Sequence, residues 1–178
     1  MTQIKKIKTI ALGLTLLGGL SACGLPEMIS ADSTYNYATL THTSTHVNAT
    51  KNFNENNIGV GVGSEAPLRG SKWSFGVEGG AFQNSNNNLS IYGVTYFERD
   101  MLRESPRSLR VGFFSGYARY PAEAANVSGI IPAIGDFIPV AGLQATIPTF
   151  GPHEFRVRVS PGLRRSDAII ALQSNFVF

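Results

Sequence analysis

Apolar and polar residues alternate along most of this chain. Trp73, Phe75, Val77 and Ala81 stand on one phase, and Ser74, Gly76, Glu78 and Gly80 on the other. Phe155, Val157 and Val159 interleave with Glu154, Arg156 and Arg158, and near the end Ile170, Leu172, Phe176 and Phe178 interleave with Gln173 and Asn175. A period of two marks extended strands, whose side chains point to opposite faces in turn. Eight such segments, separated by turn residues, run approximately over 34–42, 57–65, 72–82, 89–98, 108–119, 133–147, 154–160 and 168–178. The even count and the turn-bounded spacing suit a sheet closed on itself.

Which face looks inward follows from the charges. An arginine or lysine turned towards lipid at mid-depth costs roughly 2–4 kcal/mol, whereas charges facing a barrel interior can pair with one another. The pattern therefore predicts an all-β fold, an antiparallel up-and-down eight-stranded transmembrane β-barrel, with Glu78 paired to Arg156 or Arg158 inside. At eight strands the interior is filled by side chains or holds one small ligand, so a general pore is excluded. The stretches 66–71, 100–107 and 149–153 are short and rich in Gly, Pro or charge, as periplasmic turns are. The stretches 43–56, 83–88 and 120–132 are expected on the outer side, where function resides.

Composition adds the compartment. Lys5, Lys6 and Lys8 precede an apolar run from Ile10 to Leu20, too short to span a bilayer, which reads as a signal peptide. Leu20-Ser21-Ala22-Cys23 resembles a lipobox, with cleavage before an acylated Cys23; Cys23 is the one cysteine, so no intramolecular disulfide can form. The expected organisation is a leader over 1–22, a short tether over 23–33 and an outer-membrane barrel over 34–178. Nineteen glycines, eleven phenylalanines and six tyrosines suit tight turns and aromatic girdles. The net charge of +3 includes the leader's three lysines, and nothing in it argues for nucleic acid. The aromatic-terminated last segment resembles the strand signature that the barrel assembly machinery reads.

The run Phe53-Asn54-Glu55-Asn56 followed by Gly59-Val60-Gly61-Val62 resembles the opening of the second strand in the lipid A palmitoyltransferase family of outer-membrane enzymes. Three further matches keep the family's order. Ala81-Phe82-Gln83-Asn84-Ser85 is similar to its Ala-Phe-Lys-Asp-Ser, and the segment from Ser108 to Gly116 is similar to its fifth strand. Ile131-Pro132 through Phe137-Ile138-Pro139-Val140 is similar to its proline-bearing segment. The resemblance covers roughly residues 40 to 178, and the shared order of short motifs carries it.

The resemblance implies an enzyme that takes an acyl chain from a phospholipid and transfers it to lipid A of the lipopolysaccharide, without a cofactor. The family uses a His, an Asp and a Ser at the rim. Ser85 matches the serine, and Asn84 stands where the family has aspartate. A neutral amide can orient an imidazole or donate to an oxyanion but cannot stabilise an imidazolium as a carboxylate does. His46, seven residues before Phe53 and nearer the loop, is favoured as the base, with His42 as the alternative; both share a face if the strand extends that far. Pro132 and Pro139 remove ladder hydrogen bonds, and in the family such gaps admit lipid laterally. No cluster of metal-ligand spacing occurs. The chain is read as a monomer. Two rival functions remain open: a lipid A deacylase or phospholipase, and a non-catalytic barrel acting as shield, adhesin or structural element.

Overall fold

The structure is a computed structural model. It describes residues 34–48, 53–102, 108–121, 124, 133–162 and 167–178. The expected leader, the tether with Cys23, and Pro132 lie outside the described residues.

Eight strands, β1 (Tyr35–Val47), β2 (Gly59–Pro67), β3 (Trp73–Gln83), β4 (Leu89–Asp100), β5 (Arg110–Arg119), β6 (Phe137–Pro148), β7 (His153–Pro161) and β8 (Ala168–Val177), follow one another. Each pairs antiparallel with the next, and β8 pairs with β1 to close the barrel. No helix among the described residues is long and apolar enough to cross a membrane, which says nothing about strands. Two boundaries differ from the sequence expectation. β1 runs five residues past His42, to Val47. β6 begins at Phe137 instead of Ala133, because Ile134 and Phe137 close a tight turn with Gly135 at φ 60° between them.

Alternation places the two kinds of side chain as the charge argument requires. Outside, Val60, Val62, Leu143, Phe113 and Phe155 are exposed, and Val62 and Leu143 keep 65% and 67% of their surface. Inside, Glu65, Glu98, Glu154 and Arg156 are buried. A water-soluble barrel has the reverse polarity; this wall is matched to hydrocarbon. The expected Glu78 pairing takes in both candidate arginines. Arg156 Nη1 donates to Glu78 Oε2 at 2.7 Å and Arg158 Nη1 to Glu78 Oε1 at 2.8 Å. Tyr37 and Tyr92 hydroxyls donate to the same carboxylate at 2.9 and 2.8 Å. Lower down, Arg110 lies within 3.3 Å of Glu65, 3.2 Å of Glu98 and 3.0 Å of Glu154. Tyr37 and Tyr96 need room to join this network, and glycines on the facing strands provide it. A β-carbon at Gly63 would fall on the Tyr37 ring and one at Gly76 on the Tyr96 ring. The lower half of the lumen is thus packed shut with charge and phenol, while Phe82, Tyr92, Val140 and Ile169 in the upper half stay partly accessible.

Three irregularities define the upper rim, which carries the β1–β2, β3–β4, β5–β6 and β7–β8 connections. The β1–β8 register shifts between Thr41 and Thr43, so β1 has one residue more than β8 needs. The β1–β2 ladder stops at Thr41 and Gly59. The β6–β7 ladder covers only Leu143–Pro148 with Glu154–Val159, leaving residues 137–142 paired to β5 but without a β7 partner.

Candidate active site at the upper rim

The β1 irregularity is a bulge, and it resets the phase of the strand. Below it Tyr37, Thr39 and Thr41 face inward; above it Ser44 and His46 do. Without the extra residue His46 would share the outward phase of His42. The expectation that the two histidines lie on one face is therefore corrected. His42 sits on the outer wall, where its Nε2 bonds Ser174 Oγ of β8 at 2.7 Å, and His46 turns towards the mouth of the barrel.

There His46 Nε2 lies 2.7 Å from Ser85 Oγ. The serine comes from the β3–β4 turn, so the two residues reach each other across the top of β2. Phe53 stacks on the imidazole with ring centroids 4.2 Å apart and planes 20° from parallel, fixing its tilt. Residues 53–58 hold both ends of this bridge. Ser44 donates its backbone N–H to the Glu55 carbonyl at 3.0 Å, and Asn54 donates its own to the Ser85 carbonyl at 3.0 Å. Thr43 Oγ1 adds a bond to Glu55 O at 2.6 Å, and Asn54 Nδ2 reaches Asn87 Oδ1 at 2.8 Å.

Asn57, which sequence reasoning passed over, is buried beneath the pair. Its amide satisfies its surroundings when the nitrogen donates to the carbonyls of Asn54 and Gln83 at 2.9 and 3.3 Å. The oxygen then accepts from Ser85 Oγ at 3.2 Å and from Ser44 Oγ. Asn57 thus holds the serine hydroxyl on the side away from the imidazole. Its only sequence signal was a polar run, Asn54 to Asn57, leading into a strand.

Asn84 has a different role from the one its position suggested. Its Oδ1 accepts the backbone N–H groups of Asn86 and Asn88 at 2.9 and 3.0 Å, and its Nδ2 donates to Ser90 Oγ at 2.9 Å. Ser90 Oγ in turn donates to the Arg119 carbonyl at 2.5 Å. The carboxamide is spent on building the β3–β4 turn that presents Ser85, where Asn87 takes φ 62°. Pro139 lies in β6, opposite Tyr117 and within the stretch that has no β7 partner.

The pair is chemically competent for one thing above others. An imidazole nitrogen at hydrogen-bond distance from a serine hydroxyl can take its proton as the oxygen attacks an electrophilic carbonyl. Among the described residues no group of three or more His, Cys, Asp or Glu is gathered as a metal site would need.

No family model matches the chain, and no curated protein does. Among solved structures it is similar to a barrel from the de novo design of transmembrane β-barrels, at 12% identity and a TM-score of 0.52, covering 85% of this chain and 100% of that one. Such a likeness shows the fold alone. A conserved protein of unknown function from Rhodopseudomonas palustris covers 80% of this chain at 12% identity with a TM-score of 0.18, too low to carry an argument.

Proposed function

We propose that the barrel sits in a bacterial outer membrane and modifies lipid at its upper rim, transferring an acyl chain from a phospholipid to lipid A. The observation that supports the reading is the His46–Ser85 contact of 2.7 Å at the mouth of an apolar-walled barrel. In this mechanism the Ser85 hydroxyl turns its one proton from Asn57 Oδ1 to His46 Nε2, which accepts it as Oγ attacks the ester carbonyl of the donor, and the protonated imidazole returns that proton to the departing glycerol oxygen. The acyl group then passes from Ser85 to a hydroxyl of lipid A, with His46 again as base. Asn57 is a positioning residue for the serine. Entry from the side is supported by the upper β6–β7 stretch, where Pro139 stands in a strand lacking its ladder partner.

Hydrolysis of the same ester is a second reading, and the lumen favours it. Below Tyr92 the interior is filled by the Glu78, Arg156 and Arg158 network, so only its upper half can receive an acyl chain, and His46 at the mouth is only half-buried, within reach of water.

Mass spectrometry of lipid A and phospholipid from cells expressing the wild type, Ser85→Ala and His46→Ala separates these readings. Transfer adds one acyl chain to lipid A in the wild type only, and hydrolysis removes one from lipid A or phospholipid. Identical spectra in all three strains would refute both and leave a non-catalytic barrel.

A further inference from the structure

The lumen does not balance its own charge. Among the described residues four buried carboxylates, Glu65, Glu78, Glu98 and Glu154, face three buried guanidinium groups, Arg110, Arg156 and Arg158. Arg158 serves Glu78 at 2.8 Å, and Arg156 is divided between Glu78 at 2.7 Å and Glu65 at 3.7 Å. Arg110 is left to three acids, with Nε 3.3 Å from Glu65 and 3.2 Å from Glu98, and Nη2 3.1 and 3.0 Å from the two oxygens of Glu154. Neutral donors make up part of the difference. Ser74 and Tyr96 hydroxyls donate to Glu65 at 2.6 and 3.0 Å, and Thr146 donates to Glu98 at 2.6 Å. Glu154 has no such help among the described residues, where its one donor is the shared Arg110 Nη2. One negative charge of the four is therefore unmet, and a buried charge without a counter-charge is strongly destabilising.

Polar atoms without partners collect beside that acid. Asn175 is fully buried, and neither the oxygen nor the nitrogen of its carboxamide has a hydrogen-bond partner. Thr39 Oγ1 is buried and unpartnered as well. Gln173 gives its nitrogen to Thr41 Oγ1 at 3.2 Å, which leaves its buried Oε1 free. Register brings these residues to one place. Asn175 stands directly opposite Glu154 on β7 and directly opposite Thr39 on β1, and Gln173 lies two residues along β8 on the same inward phase. Residues directly opposite hold their β-carbons about 4.5–5.5 Å apart and diagonal neighbours lie about 7–8 Å apart, so the four side chains border a common point. What they offer it is oxygen: one carboxylate, two carboxamide oxygens and one hydroxyl.

We infer that this corner of the lumen binds one monovalent cation, sodium by size, held by Glu154, Asn175 Oδ1, Thr39 Oγ1 and Gln173 Oε1. Carboxylate, carbonyl and hydroxyl oxygens are ligands for hard cations. A single positive charge balances the interior, and a divalent ion would overshoot it. The three neutral oxygens are closed to solvent, which favours a dehydrated ion smaller than water over potassium, whose size is close to that of water. A set with one carboxylate differs from a centre built of clustered His, Cys, Asp or Glu, and none of those is gathered among the described residues. The site belongs to the charged lower lumen and takes no part in the reaction proposed for the upper rim.

The test follows folding of the full chain in lipid vesicles at a fixed urea concentration, by gel mobility, with sodium, potassium or choline chloride at equal ionic strength and neutral pH. An ion bound by the folded state alone shifts the folding equilibrium in proportion to its concentration once the site is filled. Each tenfold rise in sodium should then favour the folded barrel about tenfold. Choline should have no such effect, and potassium a weaker one. Glu154→Gln keeps an acceptor for Arg110 and removes the surplus charge, so the sodium response should disappear. Asn175→Leu keeps the surplus charge and should move the response to higher sodium, a second readout where the first variant folds poorly. Equal folding in all three salts would overturn the inference; if folding also strengthens as pH falls, the fourth carboxylate carries a proton in place of the ion. A sodium response that survives in Glu154→Gln, or an equal response to potassium, would overturn it too.

Discussion

Glu78→Gln tests the interior most directly. In the wild type this carboxylate accepts from two guanidinium groups, at 2.7 and 2.8 Å, and from the Tyr37 and Tyr92 hydroxyls. The amide has nearly the same volume but carries no charge and turns a hydrogen-bonding nitrogen towards donors. Arg158 then keeps Gln144 Oε1 at 3.0 Å and no carboxylate, while Arg156 keeps Glu65 at 3.7 Å. Removing one partner from a buried ion pair costs about 3–5 kcal/mol, because the remaining charge cannot be hydrated where it stands. The exposed pair Arg119–Asp136, at 2.9 Å with side chains 43% and 50% exposed, is the internal control, and Arg119→Gln should cost less than about 1 kcal/mol. Urea unfolding from lipid vesicles, followed by gel mobility, measures both. A further variant carrying Glu78→Gln and Arg158→Met should recover part of the loss, since it removes the stranded charge. If Glu78→Gln costs no more than Arg119→Gln, the reasoning that the lumen is held by this carboxylate is refuted.

The bulge in β1 predicts that the two histidines separate cleanly. His46→Ala should abolish the proposed lipid modification, whereas His42→Ala should leave it unchanged and cost about 0.5–1.5 kcal/mol for the lost bond to Ser174, read in the same unfolding assay. Asn57→Ala should lower both stability, by about 1–3 kcal/mol for the unmet carbonyls of Asn54 and Gln83, and the rate of lipid turnover, with the His46 ring still stacked on Phe53. Gly76→Ala places a methyl where the Tyr96 ring lies, and overpacking of this kind costs about 1–3 kcal/mol. Unfolding that is no easier than in the wild type would show that the tyrosine can move aside.

The alternation that gives the strands also assigned their faces, because a charge has only one affordable direction in lipid. That is why Glu78, Arg156 and Arg158 could be placed inside from sequence, and why the wall residues Val62 and Phe155 could be placed outside. Phase is legible only while the period holds. One added residue at His42 inverts β1 above it, and nothing in the string Thr41-His42-Thr43-Ser44 marks the insertion. The site is harder still, because it is made between segments far apart in the chain. A short motif points to Ser85 and spacing from Phe53 favours His46 over His42, but the burial of Asn57 depends on how residues 53–58 lie against β1 and the β3–β4 turn. The turn-building bonds of Asn84 are hidden in sequence for a related reason. A polar residue beside a serine looks the same in sequence whether its amide faces an imidazole or caps its own turn.

The charged lumen also constrains how the barrel is made. Tyr37 on β1, Glu78 on β3 and Arg156 on β7 are joined by contacts that include one between residues 119 positions apart. No sequential hairpin contains more than a fraction of those partners. A sheet that entered the bilayer strand by strand would turn stranded glutamates and arginines towards acyl chains and leave the free edges of β1 and β8 unpaired, each a heavy penalty in hydrocarbon. Insertion and final closure must therefore occur together, with the last strand meeting the first before the half-built interior is committed to lipid.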